Sequence, residues 1–440
     1  MIRYVCLYTE IVRPRATIFQ PRRHNLFITR IPRQIILTCA APLAYITIVS
    51  VNGGPHMDDD SRTGAQAAAS PEDAKRYARI KLVVGLVDGV LDLACLALFA
   101  FSGIAARLAA LSAGLAAGEY SRFLVFFAIA GACFGILGAP LSFYSGYVIE
   151  HRFGLSTLSV FGWLRDRLKS AILSIVIGVP VALLFYFLLK SAGSSWWMYF
   201  GAGVFVLGIV FARLAPLVIF PLFYTFTPLE PGQVREALEG LLSREGVSIS
   251  GIFVFDMSRE TRKANAGFTG LGKGRRIILG DTLLREFSAD EIRVIFAHEL
   301  GHLSGRHIPK NILISGALIF LSLGACSAAY SAAISSLGLA GPHDLAAIPI
   351  LLFFLSVLSL ALMPFTNAVS RAFERAADRH ALEVTNDPSS FISAMEKIAV
   401  RNLADREPHP AVEFFFHGHP SIGKRIQFAR AGIQEGLPVK

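Results

Sequence analysis

The stretch KLVVGLVDGVLDLACLALFAFSG, residues 81–103, decides the fold class, because it is long and apolar enough to cross a lipid bilayer. A helix needs about 20 mostly apolar residues to span a hydrocarbon core of roughly 30 Å. Further runs of comparable length predict five more spans, at 122–146, 171–190, 196–222, 311–335 and 346–368. The whole chain is 53% hydrophobic and only 17% charged. These features predict a mainly α-helical, multi-pass membrane protein.

Two polar regions flank the last pair of predicted spans. Residues 223–310 separate the fourth span from the fifth, and residues 369–440 follow the sixth. We predict that they form the two parts of one soluble domain of mixed α+β structure, divided by the two membrane helices of 311–368. Residues 57–222 then form an N-terminal membrane domain that contains the first four spans.

The distribution of lysine and arginine predicts the orientation in the membrane. The loop 147–170 carries four of these residues, whereas the loops 191–195 and 336–345 carry none. Because basic loops remain in the cytoplasm, the loop 147–170 and both polar regions are expected on the cytoplasmic side. The net charge of +10 lies largely beside apolar runs and in the N-terminal stretch, so it does not indicate nucleic-acid binding.

The N-terminal residues 1–56 form an arginine-rich extension with two interpretations. Residues 35–51, IILTCAAPLAYITIVSV, are a weak candidate for a further span, which would leave seven arginines of this extension outside the cell. Alternatively, the extension precedes a working protein that begins near Met57. The sequence leaves both interpretations open.

The stretch FAHELGHLSG, residues 296–305, suggests a metal site in the soluble domain. It belongs to a predicted helix that begins with a capping box, in which Ser288 precedes Glu291 by three residues. His298 and His302 are four residues apart, so on a helix they project from one face and can hold zinc. Glu299 follows the first histidine, where its carboxylate can accept a proton from water. The alternative is an amphipathic helix that carries two polar histidines.

A zinc site of this kind needs a third protein ligand and an open position for water. The segment SRAFERAADRHAL, residues 370–382, offers Glu374 and Asp378 on one helix face. Glu374 could bind the metal while Asp378 holds the second nitrogen of a ligand histidine. A solvated charged helix is the alternative interpretation, and spacing does not exclude His307 or His380 as the third ligand.

The chain resembles the type I CAAX prenyl endopeptidases, which are integral-membrane zinc metalloproteases. The resemblance runs from about residue 75 to 430 and rests on separate motifs in the expected order. They are LSFYSGYVIEHRFGLSTLS (141–159), PLFYTFTPLEPG (221–232), KANAGFTGLGKGRRIILGDTLL (263–284), the HELGH helix, SRAFERAAD (370–378) and HPSIGKRI (419–426). It implies a ring of six or seven membrane helices around a chamber, with a split metalloprotease domain at one end. A bacterial member is expected, from the alanine-rich sequence.

The resemblance also implies roles for individual residues. One Zn²⁺ ion per chain would be bound by His298, His302 and Glu374, with Glu299 as the general base. Asp378 would support a ligand histidine. The remaining matched residues would contact the substrate or help to hold the developing oxyanion: Asn265, Ala266, His419 and Arg425.

A further hypothesis concerns the path of the substrate. In zinc proteases of this kind an extended peptide pairs with the edge of a sheet beside the metal helix. The predicted strand RRIILGD (275–281) and the preceding NAGF (265–268), which includes Asn265 and Ala266, are the candidates for this edge.

The sequence thus predicts a membrane-embedded zinc metalloendopeptidase that acts on peptides or membrane proteins, including prenylated ones. In a bacterium its expected role is quality control of membrane proteins, in the inner membrane with the catalytic domain facing the cytoplasm. Two alternatives are a heat-shock-type membrane metalloprotease and a transporter or channel with a structural zinc site.

Overall fold

The computed structural model of the protein describes residues 49–53, 70–156, 158–259, 262–269 and 275–434. The weak candidate span 35–51 lies mostly outside these residues. Its last three residues belong to a short β-strand, Val49–Gly53, so a membrane helix does not continue through them.

The described residues are mainly helical. The α-helices are α1 (Pro71–Phe101), α2 (Ile104–Leu115), α3 (Glu119–Phe143), α4 (Val160–Ser191), α5 (Trp196–Leu214), α6 (Gln233–Arg244), α7 (Asp281–Glu286), α8 (Ala289–Ser304), α9 (His307–Leu337), α10 (Ile348–Thr385), α11 (Pro388–Arg401), α12 (Pro410–Phe416) and α13 (Ile422–Gln434). A π-helical turn, Tyr144–Val148, and a short helix, Ile149–Arg152, continue α3 to residue 152. A second π-helical turn, Ala215–Ile219, and a 3₁₀ turn, Phe220–Leu222, continue α5.

The described residues include six helices long and apolar enough to cross a membrane, namely α1, α3, α4, α5, α9 and α10 with their extensions. They overlap the six predicted spans, and the prediction of a multi-pass membrane protein is confirmed. α10 has 38 residues, which at about 1.5 Å per residue is nearly twice the thickness of a hydrocarbon core. This helix therefore reaches from the membrane region into the polar domain.

Helix α2, which lies between the first two predicted spans, was not predicted from the sequence. Its 12 residues are too few to cross a bilayer, so the search for long apolar runs passed over it. Its buried Ala105 belongs to a small apolar cluster with Phe126 of α3 and Ala346, a residue of the loop between α9 and α10. The short helix therefore packs over the end of the bundle at which α9 and α10 are connected.

The polar regions fold around a five-stranded sheet. Its strands are β1 (Val49–Gly53), β2 (Phe226–Pro228), β3 (Gly251–Phe255), β4 (Lys263–Thr269) and β5 (Arg276–Gly280), in the order β1-β4-β5-β3-β2. β3 and β5 pair in parallel and the other neighbours are antiparallel. The composition of residues 263–274 predicts a turn-rich stretch, and for 263–269 this prediction is wrong. The run KANAGFT is rich in small residues but forms strand β4.

Helix α8 lies in the centre of the core of this domain. Most of its residues from Glu291 to His302 are buried, including Phe296 and Leu300, which are at most 1% exposed. One face of the sheet, with Ile277 and Leu279, packs on the same core as α8 and α11. Because α8 is enclosed on several sides, its polar side chains are held in fixed positions.

The start of α8 is fixed by the predicted capping box. The Ser288 hydroxyl accepts a hydrogen bond from the Glu291 amide, and the Glu291 carboxylate accepts one from the Ser288 amide. The same carboxylate accepts hydrogen bonds from Lys397 Nζ and Ser393 Oγ of α11, both at 2.6 Å. Burial raises the pKa of Glu291, but these hydrogen bonds outweigh burial and leave the pKa below its usual value. Glu291 therefore joins the metal helix to the second polar region.

Substitution of Glu291 by glutamine should lower the free energy of unfolding. It removes the negative charge that accepts the hydrogen bond from Lys397, and such a charge-assisted hydrogen bond contributes about 1–3 kcal/mol. The folded pKa is depressed, so this stabilisation is present above the unfolded pKa of about 4.3 and is lost as the pH falls through the folded value. The thermal midpoint of Glu291→Gln should therefore lie below that of the wild type at pH 7, and the difference should shrink below pH 4. Glu230→Gln, at an exposed position, is the control. Equal midpoints at pH 7 would contradict this role.

Candidate metal centre

The candidate metal centre forms where α8 crosses α10 at very short distance. A Cβ atom added to Gly301 would lie 2.8 Å from Ala377 Cα and 3.0 Å from Ala377 O. The two backbones can approach this closely only because Gly301 has no side chain and Ala377 has a small one. The contact brings residues of α8 next to residues of α10 that follow them by more than 70 positions.

Three side chains converge at this crossing. The Nε2 atoms of His298 and His302 are 3.1 Å apart. His298 Nε2 lies 3.3 Å from Glu374 Oε2, and His302 Nε2 lies 3.4 Å from Glu374 Oε1. All three residues are buried, and their ligand atoms lie within 4.8 Å of one another. Two imidazoles and one carboxylate in this arrangement match the donor set of a three-ligand metal site.

The back of the His298 ring is held by a buried ion pair. His298 Nδ1 lies 2.8 Å from Asp378 Oδ1. The guanidinium of Arg425, on α13, donates to both oxygens of Asp378, at 2.8 and 2.5 Å. The carboxylate therefore holds the His298 ring in place with Nε2 directed at the site, as is usual for ligand histidines.

The back of the His302 ring is held by a second histidine. His302 Nδ1 lies 2.9 Å from Nδ1 of His307, the first residue of α9. The His307 ring stacks on Phe373 of α10, with ring centres 4.4 Å apart. The position of His307 depends on the turn before it, where Arg306 has a left-handed backbone and a side chain at Gly305 would clash with the His307 ring.

The residues fit a divalent cation. Both Glu374 oxygens are buried without a hydrogen bond in the described part of the chain. A fully buried carboxylate in this state is costly unless a positive charge compensates it. Glu299 Oε1 is likewise buried without a hydrogen-bond partner. It therefore lies free to accept a proton or a hydrogen bond from a group that enters the site.

Burial also changes the protonation of this site. It raises the pKa of Glu299 to about 8, and the neighbouring Glu374 charge adds to this shift. Burial by itself lowers the pKa of His298, but its hydrogen bond to Asp378 and the adjacent Glu374 carboxylate outweigh this effect and raise the pKa to about 9. Without a metal, burial therefore favours the neutral form of Glu299, and a cation held by the three ligand atoms would favour its carboxylate form.

His419 lies at the open side of the centre. Its Nδ1 atom is 2.9 Å from Glu374 Oε2, and its side chain is 49% exposed. The segment before it is tied to α10, because Asn367 Nδ2 donates to the Phe415 carbonyl and Arg371 Nη1 donates to the His417 carbonyl. A partly exposed imidazole beside the three ligand atoms is available to a bound substrate.

Asn265 and Ala266 lie on strand β4. Both are buried, and the Asn265 Oδ1 atom has no hydrogen-bond partner in the described residues. The predicted edge strand 275–281 is not at an edge, since β5 lies between β4 and β3. β4, which carries NAGF (265–268), lies between β5 and the edge strand β1, so among the described strands it is not at the sheet edge either.

The structure thus brings together His298, His302, Glu374, Glu299 and Asp378, and it adds His419 at the open side. Arg425 is different, because its guanidinium lies behind the His298 ring and contacts Asp378 rather than the open side.

Of the alternative ligands, His307 contacts the far nitrogen of His302, and His380 Nε2 lies 3.4 Å from Glu245. The supporting roles of His307, Asn367 and Arg371 were missed. Only the short spacing of His307 from His302 was a signal in the sequence.

Replacement of Gly301 by alanine should disrupt the centre, because the new methyl group has no space beside Ala377. We expect lower thermal stability and at least tenfold weaker metal retention during dialysis, measured by elemental analysis. Gly240→Ala is the matched control, since Gly240 is a helical glycine with open space around its Cβ position. Its substitution should leave metal retention unchanged and add up to about 1 kcal/mol of stability. Wild-type metal retention in Gly301→Ala would refute the importance of this helix crossing.

Two models of known protein families match nearly all of the described residues after β1. Residues 65–225 match the model described as "CAAX prenyl protease N-terminal, five membrane helices". Residues 228–433 match the model of "Peptidase family M48". Helices α1 to α5 lie in the first matched region, and the candidate metal centre lies in the second.

Individual proteins show the same similarity. The chain is 32% identical to the "Uncharacterized metalloprotease YhfN" of Bacillus subtilis over 290 residues, which are 64% of this chain and 68% of the relative. It is 29% identical to "CAAX prenyl protease 1" of Saccharomyces cerevisiae over 69% of this chain and 71% of the relative. The crystal structure of S. mikatae Ste24p superposes with a TM-score of 0.71 at 26% identity, covering 82% of this chain and 87% of that one.

Proposed function

Because this chain belongs to peptidase family M48, as a multi-pass membrane metalloprotease related to the CAAX prenyl proteases, we propose that it is a zinc-dependent endopeptidase. His298, His302 and Glu374 would hold one zinc ion. The observation that supports this proposal most strongly is the buried Glu374 carboxylate, whose oxygens lie 3.3 and 3.4 Å from two imidazole nitrogens and accept no hydrogen bond from the described residues.

The surrounding residues suggest how peptide hydrolysis proceeds. Zinc, when bound, would polarise the peptide carbonyl and make a water molecule more acidic. The buried Glu299 carboxylate would take the proton from water and pass it to the leaving amine. His419, at the open side, would donate a hydrogen bond to the developing oxyanion. Asn265 would hold the peptide backbone through its free amide oxygen. Arg425 would act through Asp378 as a positioning residue.

The variant Glu299→Gln tests the assignment of the base. It keeps the shape of the side chain but removes the proton acceptor, so turnover should fall by roughly 100- to 10,000-fold. The bound zinc should remain, because Glu299 is not among the three converging ligand residues. Detergent-purified protein should be assayed with a quenched fluorescent peptide, with and without chelator, and zinc should be quantified in parallel. Equal turnover by the wild type and Glu299→Gln would refute the proposed mechanism.

A second proposed role concerns His307. Its contact with the His302 Nδ1 atom occupies the position that Asp378 occupies for His298. Groups that hold the second nitrogen of a ligand histidine orient the ring and increase metal affinity. We therefore assign His307 as the residue that positions His302.

His307→Ala should weaken zinc binding by about 10- to 100-fold, since the His302 ring would lose its orienting partner. Zinc affinity can be measured by competition with a chromophoric chelator, independently of peptide cleavage. His343→Ala removes an exposed histidine from the loop between α9 and α10 and serves as the control. Unchanged zinc affinity in His307→Ala would show that the contact is not needed.

The substrates and the location of the protein are also part of the proposal. Its relatives include CAAX prenyl proteases, so peptides with a C-terminal recognition sequence, including prenylated ones, are candidate substrates. The similarity to the Bacillus subtilis metalloprotease supports a bacterial origin. For a bacterial protein of this kind we propose a location in the inner membrane and a role in the quality control of membrane proteins. The lysine and arginine distribution supports a catalytic domain on the cytoplasmic side.

Two alternatives are less well supported. A heat-shock-type membrane metalloprotease would not account for the match of residues 65–225 to the CAAX prenyl protease N-terminal model. A transporter with a structural zinc site would not account for Glu299. Its buried Oε1 atom has no hydrogen-bond partner among the described residues, and a structural site does not require such a carboxylate beside the metal ligands.

A further inference from the structure

A second concave surface lies on the face of the sheet that is turned away from the metal helix. Along β5, Ile277 and Leu279 pack on the core that contains α8, so the alternate residues Arg276 and Ile278 are directed to the other side. On this side a cavity of about 470 Å³ lies between the sheet and the end of membrane helix α5. We call this cavity the α5 groove.

The walls of the α5 groove are mainly apolar. Phe220, in the 3₁₀ turn after α5, contributes to one wall, and Phe253 and Ile278 of the sheet contribute to the other. Leu217 lines the groove as well and is 48% exposed. Because the turns at 215–222 continue a helix that is long and apolar enough to cross a membrane, the groove lies where the membrane region meets the polar domain.

Arg276 supplies a positive charge to the groove. Its side chain is exposed, and its Cζ atom lies 5.3 Å from the centre of the Phe253 ring. None of the described carboxylates lies within ion-pair distance of its guanidinium. Thr269, the partner of Arg276 on β4, also lines the groove and adds a hydroxyl group. A guanidinium in this position is suited to a phosphate, which it can bind through two parallel hydrogen bonds.

A second cation lies beside the turns that follow α5. Lys169 of α4 donates to the Leu222 carbonyl at 3.4 Å, and its Nζ atom lies 5.6 Å from the centre of the Phe223 ring. Its ion pair with Asp166 is long, at 3.9 Å. Two basic groups therefore lie along the segment that joins α5 to the sheet.

An acidic residue of this region, Asp256, lies at the other end of the groove from Arg276. Its carboxylate accepts a hydrogen bond from the amide of Thr225, which also lines the groove. Asp256 follows strand β3, whereas Arg276 pairs with the first residue of β3, Gly251. The length of this strand separates the two charges by roughly 16 Å. Asp256 therefore does not neutralise Arg276.

We propose that the α5 groove binds one anionic phospholipid from the leaflet next to the polar domain. Its phosphate would lie on Arg276, and the first part of an acyl chain would lie along Phe220 and Ile278. Small-molecule sites of about 300–1,000 Å³ commonly combine apolar walls with a few polar groups in this way. Lys169 would favour a headgroup with a net negative charge over a zwitterionic one. The inference does not rest on the proposed peptidase function, since the metal centre lies behind the opposite face of the sheet.

The test measures the lipid that binds most tightly to the full-length protein. Protein purified in a non-ionic detergent is titrated with phosphatidylglycerol or with phosphatidylcholine, and the first bound lipid is quantified by native mass spectrometry. Glycerol 3-phosphate is titrated separately, as a headgroup without acyl chains. The variants are Arg276→Gln, Arg276→Lys and Leu217→Trp, which places a larger side chain in the groove. Arg244→Gln, at an exposed position of α6, is the control.

The wild type should bind the first phosphatidylglycerol roughly five- to tenfold more tightly than phosphatidylcholine. Arg276→Gln should weaken the binding of phosphatidylglycerol roughly 10-fold, because the charge-assisted hydrogen bonds to the phosphate are lost. Arg276→Lys should weaken it less, and Arg244→Gln should leave it unchanged. Leu217→Trp should weaken the binding of both lipids, since the indole ring takes the space of the acyl chain. Thermal midpoints show whether each variant is folded.

Unchanged affinity for phosphatidylglycerol in Arg276→Gln would overturn the inference, as would equal affinity of the wild type for the two lipids. Wild-type lipid binding by Leu217→Trp would show that no acyl chain lies in the groove. If glycerol 3-phosphate binds as tightly as phosphatidylglycerol, the groove is a site for a soluble phosphate compound and the lipid proposal is wrong.

Discussion

The close crossing of α8 and α10 at Gly301 and Ala377 is the contact on which the rest of the site depends. α8 belongs to the core of the polar domain, whereas α10 is a membrane helix that extends into this domain. Neither helix alone provides a metal site, since one supplies two imidazoles and the other a carboxylate. The crossing therefore couples the candidate catalytic centre directly to the membrane bundle.

A second layer of side chains holds the converging groups in place. Asp378 and Arg425 fix His298 from behind, and His307 on Phe373 does the same for His302. A buried network of this kind is stabilising only when each member has its partner. Among the described members of this network, the groups left without hydrogen bonds are the Glu374 carboxylate and the Glu299 Oε1 atom. This division suits a site that is rigid at the back and reactive at the front.

The parts of the fold and of the site that depend on local sequence patterns could be predicted from the sequence. The length of apolar runs predicted six membrane helices, and the i, i+4 spacing of His298 and His302 placed them on one helix face. Glu374 could not be assigned by spacing, because its position depends on a contact across more than 70 residues. The resemblance to a known family supplied that assignment. In the structure the Glu374 carboxylate lies next to both imidazoles, and its role as a metal ligand stays a prediction.

The features that were missed depend on context that a single sequence does not reveal. Helix α2 is shorter than a membrane span, and β4 has the composition of a turn but is held as a strand by β5. The orientation of the Arg425 side chain depends on its hydrogen bonds to Asp378, which could not be predicted from the residue type alone. The supporting role of His307 depends on a tight turn at Gly305 that folds α9 back against α8.

Zinc K-edge X-ray absorption on the purified full-length protein tests most directly whether two imidazoles and one carboxylate bind a single zinc ion. We expect two nitrogen ligands at about 2.0–2.1 Å and oxygen ligands at about 2.0–2.2 Å, with no sulfur. A sulfur shell at about 2.3 Å, or a first shell with no imidazole, would contradict this set of ligands.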